Sequence, residues 1–162
     1  MTRTAAAATD LVVGVAAGVA AAFAMNLFQL AWSKAVSKPP EPSATQDAAY
    51  HLSGTLTGHV ASPTGRKILG NVIHYTTGAV LGGVYGLISG VFPTLTFGKG
   101  TAFGTAVWAT ADEIAVPLVG LGPPLGRTDA VDHAYGLASH LIFGLTLDFV
   151  RRHLNARISA PR

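Results

Sequence analysis

The sequence predicts an all-α membrane protein, a bundle of four transmembrane helices, and three observations carry that prediction. Of 162 residues, 49% are hydrophobic and only 12% charged, about half the charge of an average soluble domain, and the mean hydropathy is +0.42. Four apolar stretches are each long enough, at about 1.5 Å of rise per helical residue, to cross most or all of a hydrocarbon core of about 30 Å. Each stretch also carries a row of small or polar residues spaced four apart. The rows are Gly14, Gly18, Ala22, Asn26; then His74, Gly78, Gly82, Gly86, Gly90; then Gly100, Gly104, Trp108, Asp112; and finally Asp132, Gly136, His140, Gly144, Asp148. Residues four apart share a helix face, and small-xxx-small faces let lipid-embedded helices pack backbone against backbone. A spacing of four exceeds 3.6, which favours right-handed close crossings. A single integral membrane domain over residues 1–162 follows.

The elements can be justified in order. The first span covers 11–32. Ala22-Phe23-Ala24 resembles a signal-peptide cleavage site, but only Arg3 precedes the apolar run and apolar character continues to Trp32, so a retained helix is expected. Residues 33–67 form the one long connection, an outer loop. Lys38-Pro39-Pro40-Glu41-Pro42 breaks the helix, and Ser43-x-x-Gln46 matches a capping box that predicts a short surface helix over 44–56. Residues 58–65 read as loop. The second span covers 68–92 and stops at Pro93. The third covers 101–119, with Pro117 near its end, and 120–126 (Gly-Leu-Gly-Pro-Pro-Leu-Gly) form a rigid turn. The fourth covers 130–150.

Charge sets orientation and excludes partners. Four spans place both termini on one side with Arg3, Lys99, Arg151, Arg152, Arg157 and Arg162; the other side holds Lys34, Lys38, Arg66, Lys67 and Arg127. The totals nearly balance, so the Arg151–Arg152 pair against a helix end decides, and the termini are placed in the cytoplasm of a multi-pass inner-membrane protein. The pI near 9.5 comes from a small excess at segment ends without interleaved aromatics, which argues against nucleic-acid binding. The chain has no cysteine, so thiolate metal sites and thiol nucleophiles are excluded. Ser139 precedes His140 but sits in no nucleophile elbow, and no strand supports a phosphate-binding glycine loop. An enzyme is not expected. The expected partners are the lipid bilayer and either further copies of the chain or other membrane subunits.

The few polar groups inside the spans are the candidate site. Counted from the outer span ends, Asn26, His74, Asp112 and His140 lie about 9–13 Å deep, one layer to which all four helices contribute. Asp112 and Glu113 are neighbours about 100° apart on a helix, so both cannot face one contact stripe. Asp112 continues the glycine row and is expected to point inward, Glu113 to face elsewhere or snorkel. Three readings stay open: a satisfied polar network that fixes packing, a proton path or pH-sensing cluster, and a haem or first-row metal held at His74 and His140. No H-x-x-x-H or E-x-x-H pairing favours the third. Asp148 lies one turn before Arg152, and an i,i+4 ion pair at the inner interface is expected. His51, His59, His133 and His153 fall in loops or at span ends and read as solvated.

From His140 through Asp148 to Arg151-Arg152 and Ile158, the fourth segment resembles the C-terminus of the YagU-like family of small bacterial inner-membrane proteins. Pro117 through Pro123-Pro124 is similar to its proline turn, and His74 through Phe92-Pro93 to its second helix. The resemblance covers about residues 70–158, with the first span matching loosely. It implies an uncharacterised membrane protein with a link to acid tolerance, and it supports the His74 and His140 pair. The chain departs from the family at Asp112, where a His is expected, and in its shorter, cysteine-free outer loop. Those departures leave no fixed ligand set to carry over.

Overall fold

The computed structural model describes residues 3–36, 42–89, 92–124 and 126–159, and every regular element among them is a helix. Residues 37–41, which hold most of the expected proline break, lie outside the described residues, as do Gly90 and Arg162. Helix α1 (Arg3–Ala35) extends the apolar core of the first segment at both ends, through an Ala-rich start and Lys34 in its last turn. Helix α2 (Ala44–Thr57) stops at Gly58, whose φ of +72° closes the C-terminus. Its capping box does not form: the Ser43 hydroxyl pairs with that of Thr45 at 3.0 Å, and the Gln46 side chain is occupied against Gly70 of the next helix.

Helix α3 (Pro63–Ser89) begins within the stretch expected to be loop. Proline suits a first helical turn, where its missing N–H has no partner to lose, so the loop shrinks to residues 58–62. Arg66 pins α2 to this start. It donates to the Gln46 carbonyl at 3.1 Å, pairs with Asp47, and lies 5.2 Å over the Tyr50 ring. A 3₁₀ stretch (Pro93–Gly100) then turns the chain through three left-handed residues, Gly98, Lys99 and Gly100. The third apolar segment is a helix in three parts: α4 (Thr101–Thr110), a π turn (Ala111–Ala115) and α5 (Val116–Leu118). Asp129 accepts the N–H groups of Val131 and Asp132 and starts α6 (Ala130–Ser159), which runs nine residues past its expected end at 150.

Helix α1 packs on α3 and on α6, α4 packs on α6, and α2 covers part of α3. Where α1 crosses α3, Gly14 and Gly18 lie against Gly78, Gly82 and Gly86, so close that a methyl on Gly18 would overlap the Gly78 carbonyl. Where α4 crosses α6, Gly100 and Gly104 lie against the backbone of Gly144 and His140 in the same way. Between these seams sit Ala17, Ala21, Met25, Tyr85, Phe103 and Leu147. Large apolar side chains on the long helices point outward, among them Val12, Phe23, Val80, Val84 and Phe149.

Among the described residues one helix, α1, is long and apolar enough to cross a membrane by length and composition. The other three expected spans carry the polar groups that lower their hydropathy: Asn71 and His74 in α3, Asp112 and Glu113 in the π turn, and Asp132, His133, His140 and Asp148 in α6. The third is also divided by the π turn.

Candidate functional site

The π turn sets the geometry of the site. In an α-helix Asp112 and Glu113 would diverge by about 100°, which underlies the expectation that Glu113 faces away. Here the Val116 N–H bonds back to the Ala111 carbonyl, five residues earlier, and the widened turn aims both carboxylates at α6. His133 Nδ1 donates to Glu113 Oε1 at 2.8 Å. His140 Nδ1 lies 3.5 Å from Asp112 Oδ2 and donates to the Gly136 carbonyl at 2.9 Å. The two histidines are seven residues apart, about two turns, and therefore share one face of α6. Two expectations are corrected: Glu113 does not diverge from Asp112, and His133 is not merely solvated but is Glu113's partner. Histidine spacing along α6 was a signal for this; a π turn has no comparably plain signature. Such turns concentrate at functional sites.

Gly136, between the two histidines, leaves room for the Trp108 indole and for Asp112. The ring of Trp108 meets that of His133 edge-on at 6.4 Å, and its buried Nε1–H has no hydrogen-bond partner. The cluster is open on one side. The side chains of Glu113, His133 and Asp112 are 27%, 36% and 40% exposed. Phe28, Trp32 and Tyr135 stack beside it, with ring centroids 5.6–6.2 Å apart.

Asn26 and His74 belong to a different contact, between α1 and α3. Asn26 donates to the Tyr75 hydroxyl at 3.3 Å, and His74 Nε2 donates to the Ala22 carbonyl at 3.2 Å. His74 is near enough to His140 to feel its charge, yet among the described residues no hydrogen bond or ion pair joins the two groups. Asn26 and His74 thus bond within the α1–α3 contact, and Asp112 and His140 meet across the π turn and α6. No three His, Asp or Glu side chains among the described residues gather as metal ligands would.

Asp148 is far more enclosed than an interfacial ion pair requires. Its side chain is 1% exposed. Arg152 Nε donates to Oδ2 at 2.6 Å as the i,i+4 spacing suggests. Arg151 at 3.1 Å and the Tyr85 hydroxyl at 2.9 Å both donate to Oδ1. Tyr85, from α3, is itself fully buried, stacks on Phe103 at 4.8 Å and lies beneath Arg151 at 5.4 Å. Tyr85 is the residue that sequence reasoning missed; it falls between the rows of the four-residue pattern.

The family described as Protein of unknown function (DUF1440) matches residues 33–149. The chain belongs to this family. The matched range spans from the end of α1 to the Asp148 turn and so includes both carboxylate–histidine pairs. Inner membrane protein YagU of Escherichia coli (strain K12) is 28% identical over 105 residues, covering 65% of this chain and 48% of that protein. The aligned part is about half the length of this curated relative. No solved structure matches the chain.

Proposed function

We propose that this chain is a four-span protein of the bacterial inner membrane that responds to external pH through Asp112–His140 and Glu113–His133. Its membrane placement is supported by the similarity to an inner membrane protein, by the outward apolar side chains of the long helices, and by the glycine seams. Trp32 and Tyr135 at one end and Arg151 and Arg152 at the other suit the two interfaces of a bilayer. Tyr135 and Arg151 are 16 residues apart on α6, about 24 Å, close to the thickness of a hydrocarbon core.

The observation that carries the pH reading is the π turn, which brings two adjacent carboxylates to two histidines on one face of α6. Acidification converts each neutral imidazole to imidazolium. The Glu113–His133 hydrogen bond then becomes an ion pair, and the 3.5 Å contact of Asp112 with His140 gains attraction between opposite charges, which strengthens the packing of the π turn on α6. Further acidification neutralises the carboxylates and removes the pairing. The partial exposure of the cluster lets protons reach it from the aromatic end. Below it, Gly100 and Gly104 close against α6 backbone, so the reading is of a sensor and not of a conduit. Neither a metal nor haem enters it.

The test uses the full chain in liposomes with Trp32→Phe, which leaves Trp108 as the single indole. A protonated imidazole quenches a neighbouring indole, so Trp108 emission should fall on acidification between about pH 8 and pH 5, the range in which His titrates. His133→Ala should abolish the fall. An emission that does not change with pH, or changes equally in His133→Ala, sinks the proposal. Topology is read separately on the cysteine-free background. An impermeant thiol reagent applied to intact cells should label Leu56→Cys and Arg127→Cys but spare Thr4→Cys and Ala156→Cys.

A further inference from the structure

We propose that the inner end of α6 is a binding surface for the headgroup of an anionic phospholipid, with Arg152 and Lys99 as its cationic contacts. This rests on the bilayer placement given above and is independent of the pH response. The argument starts from Asp148, whose two oxygens already receive three donors: Tyr85 and Arg151 on Oδ1, Arg152 on Oδ2. It neutralises one guanidinium and leaves a second uncompensated. Arg151 keeps a buried Nε–H without a partner. Arg152 spends only Nε on Asp148 and is 57% exposed, so its terminal nitrogens face outward.

Lys99 adds a third cation to the same place. It precedes Gly100, which packs on the backbone of Gly144 and the Cβ of Asp148. Lys99 is also the sole described residue other than glycine with a left-handed backbone, φ +58°. Among the described residues five cations stand at this end of the helices (Arg3, Lys99, Arg151, Arg152, Arg157) against two carboxylates, Asp10 and Asp148. No ion pair of Arg151 or Arg152 with an acid other than Asp148 occurs among the described residues.

The surroundings select a lipid over a free anion. Phe149, the residue between Asp148 and Val150, and Phe97, two residues before Lys99, are both exposed aromatic side chains. Rings beside cations at a helix end place apolar surface at acyl-chain depth and charge at headgroup depth. A headgroup phosphate accepts both terminal nitrogens of a guanidinium. Each Lys or Arg near an anionic surface strengthens attachment by about fivefold.

Native mass spectrometry of the full chain in detergent, titrated with phosphatidylglycerol or phosphatidylcholine, tests this directly. Phosphatidylglycerol is expected to bind the wild type at least about tenfold more tightly than phosphatidylcholine, and Arg152→Gln with Lys99→Gln to erase most of that preference. Equal binding of the two lipids overturns the proposal, as does an undiminished preference in the double variant. Displacement of phosphatidylglycerol by inorganic phosphate at millimolar concentration also overturns it, since the surface then reads as a free-anion site. Circular dichroism of the double variant checks folding; should it unfold, Arg152→Lys with Lys99→Gln keeps one cation and should retain an intermediate preference. The thiol-labelling pattern above reports the bilayer placement on its own, so loss of lipid preference with that pattern intact refutes the lipid surface alone.

Discussion

Helix α6 carries two carboxylate–cation clusters, and they differ in nearly every respect. At the outer end, Asp112 and Glu113 meet His140 and His133 with side chains 27–40% exposed for all but His140. At the inner end, Asp148 is sealed, and its partners are two arginines and a buried tyrosine. The outer pairs are open to solvent on one side, as the proposed pH response requires. The inner cluster holds a permanent charge whose removal would strand another one. On the proposed reading, burial and the choice of His or Arg divide one helix into a responsive half and a fixed half.

The largest effect expected from breaking this contrast is at Asp148. Asp148→Ala leaves Arg151 buried without its counter-charge and Tyr85 without an acceptor, which costs about 3–5 kcal/mol. Thermal unfolding in detergent should show a large fall in midpoint, or failure to accumulate folded protein. A fall no greater than that of Asp112→Ala would show that the inner cluster is not the fixed half. Next in size is Tyr85→Phe, which removes one hydrogen bond to a charged acceptor while keeping the ring on Phe103. A loss of about 1.5–3 kcal/mol is expected, read from the same unfolding curve.

The seams offer an intermediate test. Gly18→Val puts a branched side chain where even one methyl overlaps the Gly78 carbonyl, and overpacking of this kind costs about 1–3 kcal/mol. Gly65→Ala, at the start of α3 against only the Ser62 and Ala61 side chains, should change the midpoint by much less. Similar losses at both positions would mean that the close approach of α1 and α3 does not limit stability.

Much of this arrangement was legible beforehand, and the exceptions share a cause. Periodicity of four reports which face of a helix is smooth, so Gly18 and Gly82, or Gly104 and Gly144, were marked before their partners were known, and the helices do cross there. Periodicity assumes an unbroken α-helix. At Asp112 and Glu113 that assumption fails, because the five-residue hydrogen bond from Val116 to Ala111 resets the angle between neighbours. The partner of His133 is hidden by the same assumption, since it is Glu113, on that turn. Ser43 shows a different limit: a capping motif states what a side chain can do, and Gln46 was already committed to Gly70. Asp148 was placed correctly with Arg152, but its burial depends on Tyr85, which is 63 residues away in sequence. Local patterns carry no information about such a pair.

The smallest stability effect belongs to the outer cluster, and it is the sharpest test of the contrast. Glu113→Gln keeps the shape of the side chain and its ability to accept from His133 Nδ1, so the midpoint should move by no more than about 1 kcal/mol, as for an exposed pair. What should change is the response to acid. In the wild type, protonation of His133 creates an ion pair with Glu113 that holds the imidazolium near Trp108, so acid strengthens the contact until the carboxylate itself is protonated. In Glu113→Gln no ion pair forms, and acidification places an uncompensated cation beside the indole. The size of the Trp108 emission change on acidification should therefore differ from the wild type, because the imidazolium has lost the partner that holds it beside the indole. Asp112→Asn should leave that emission change nearly as it is, since Asp112 faces His140 and not His133. If the two variants alter the emission change equally, the two pairs titrate as one unit, and the outer half of α6 senses pH through a coupled cluster instead of two independent contacts.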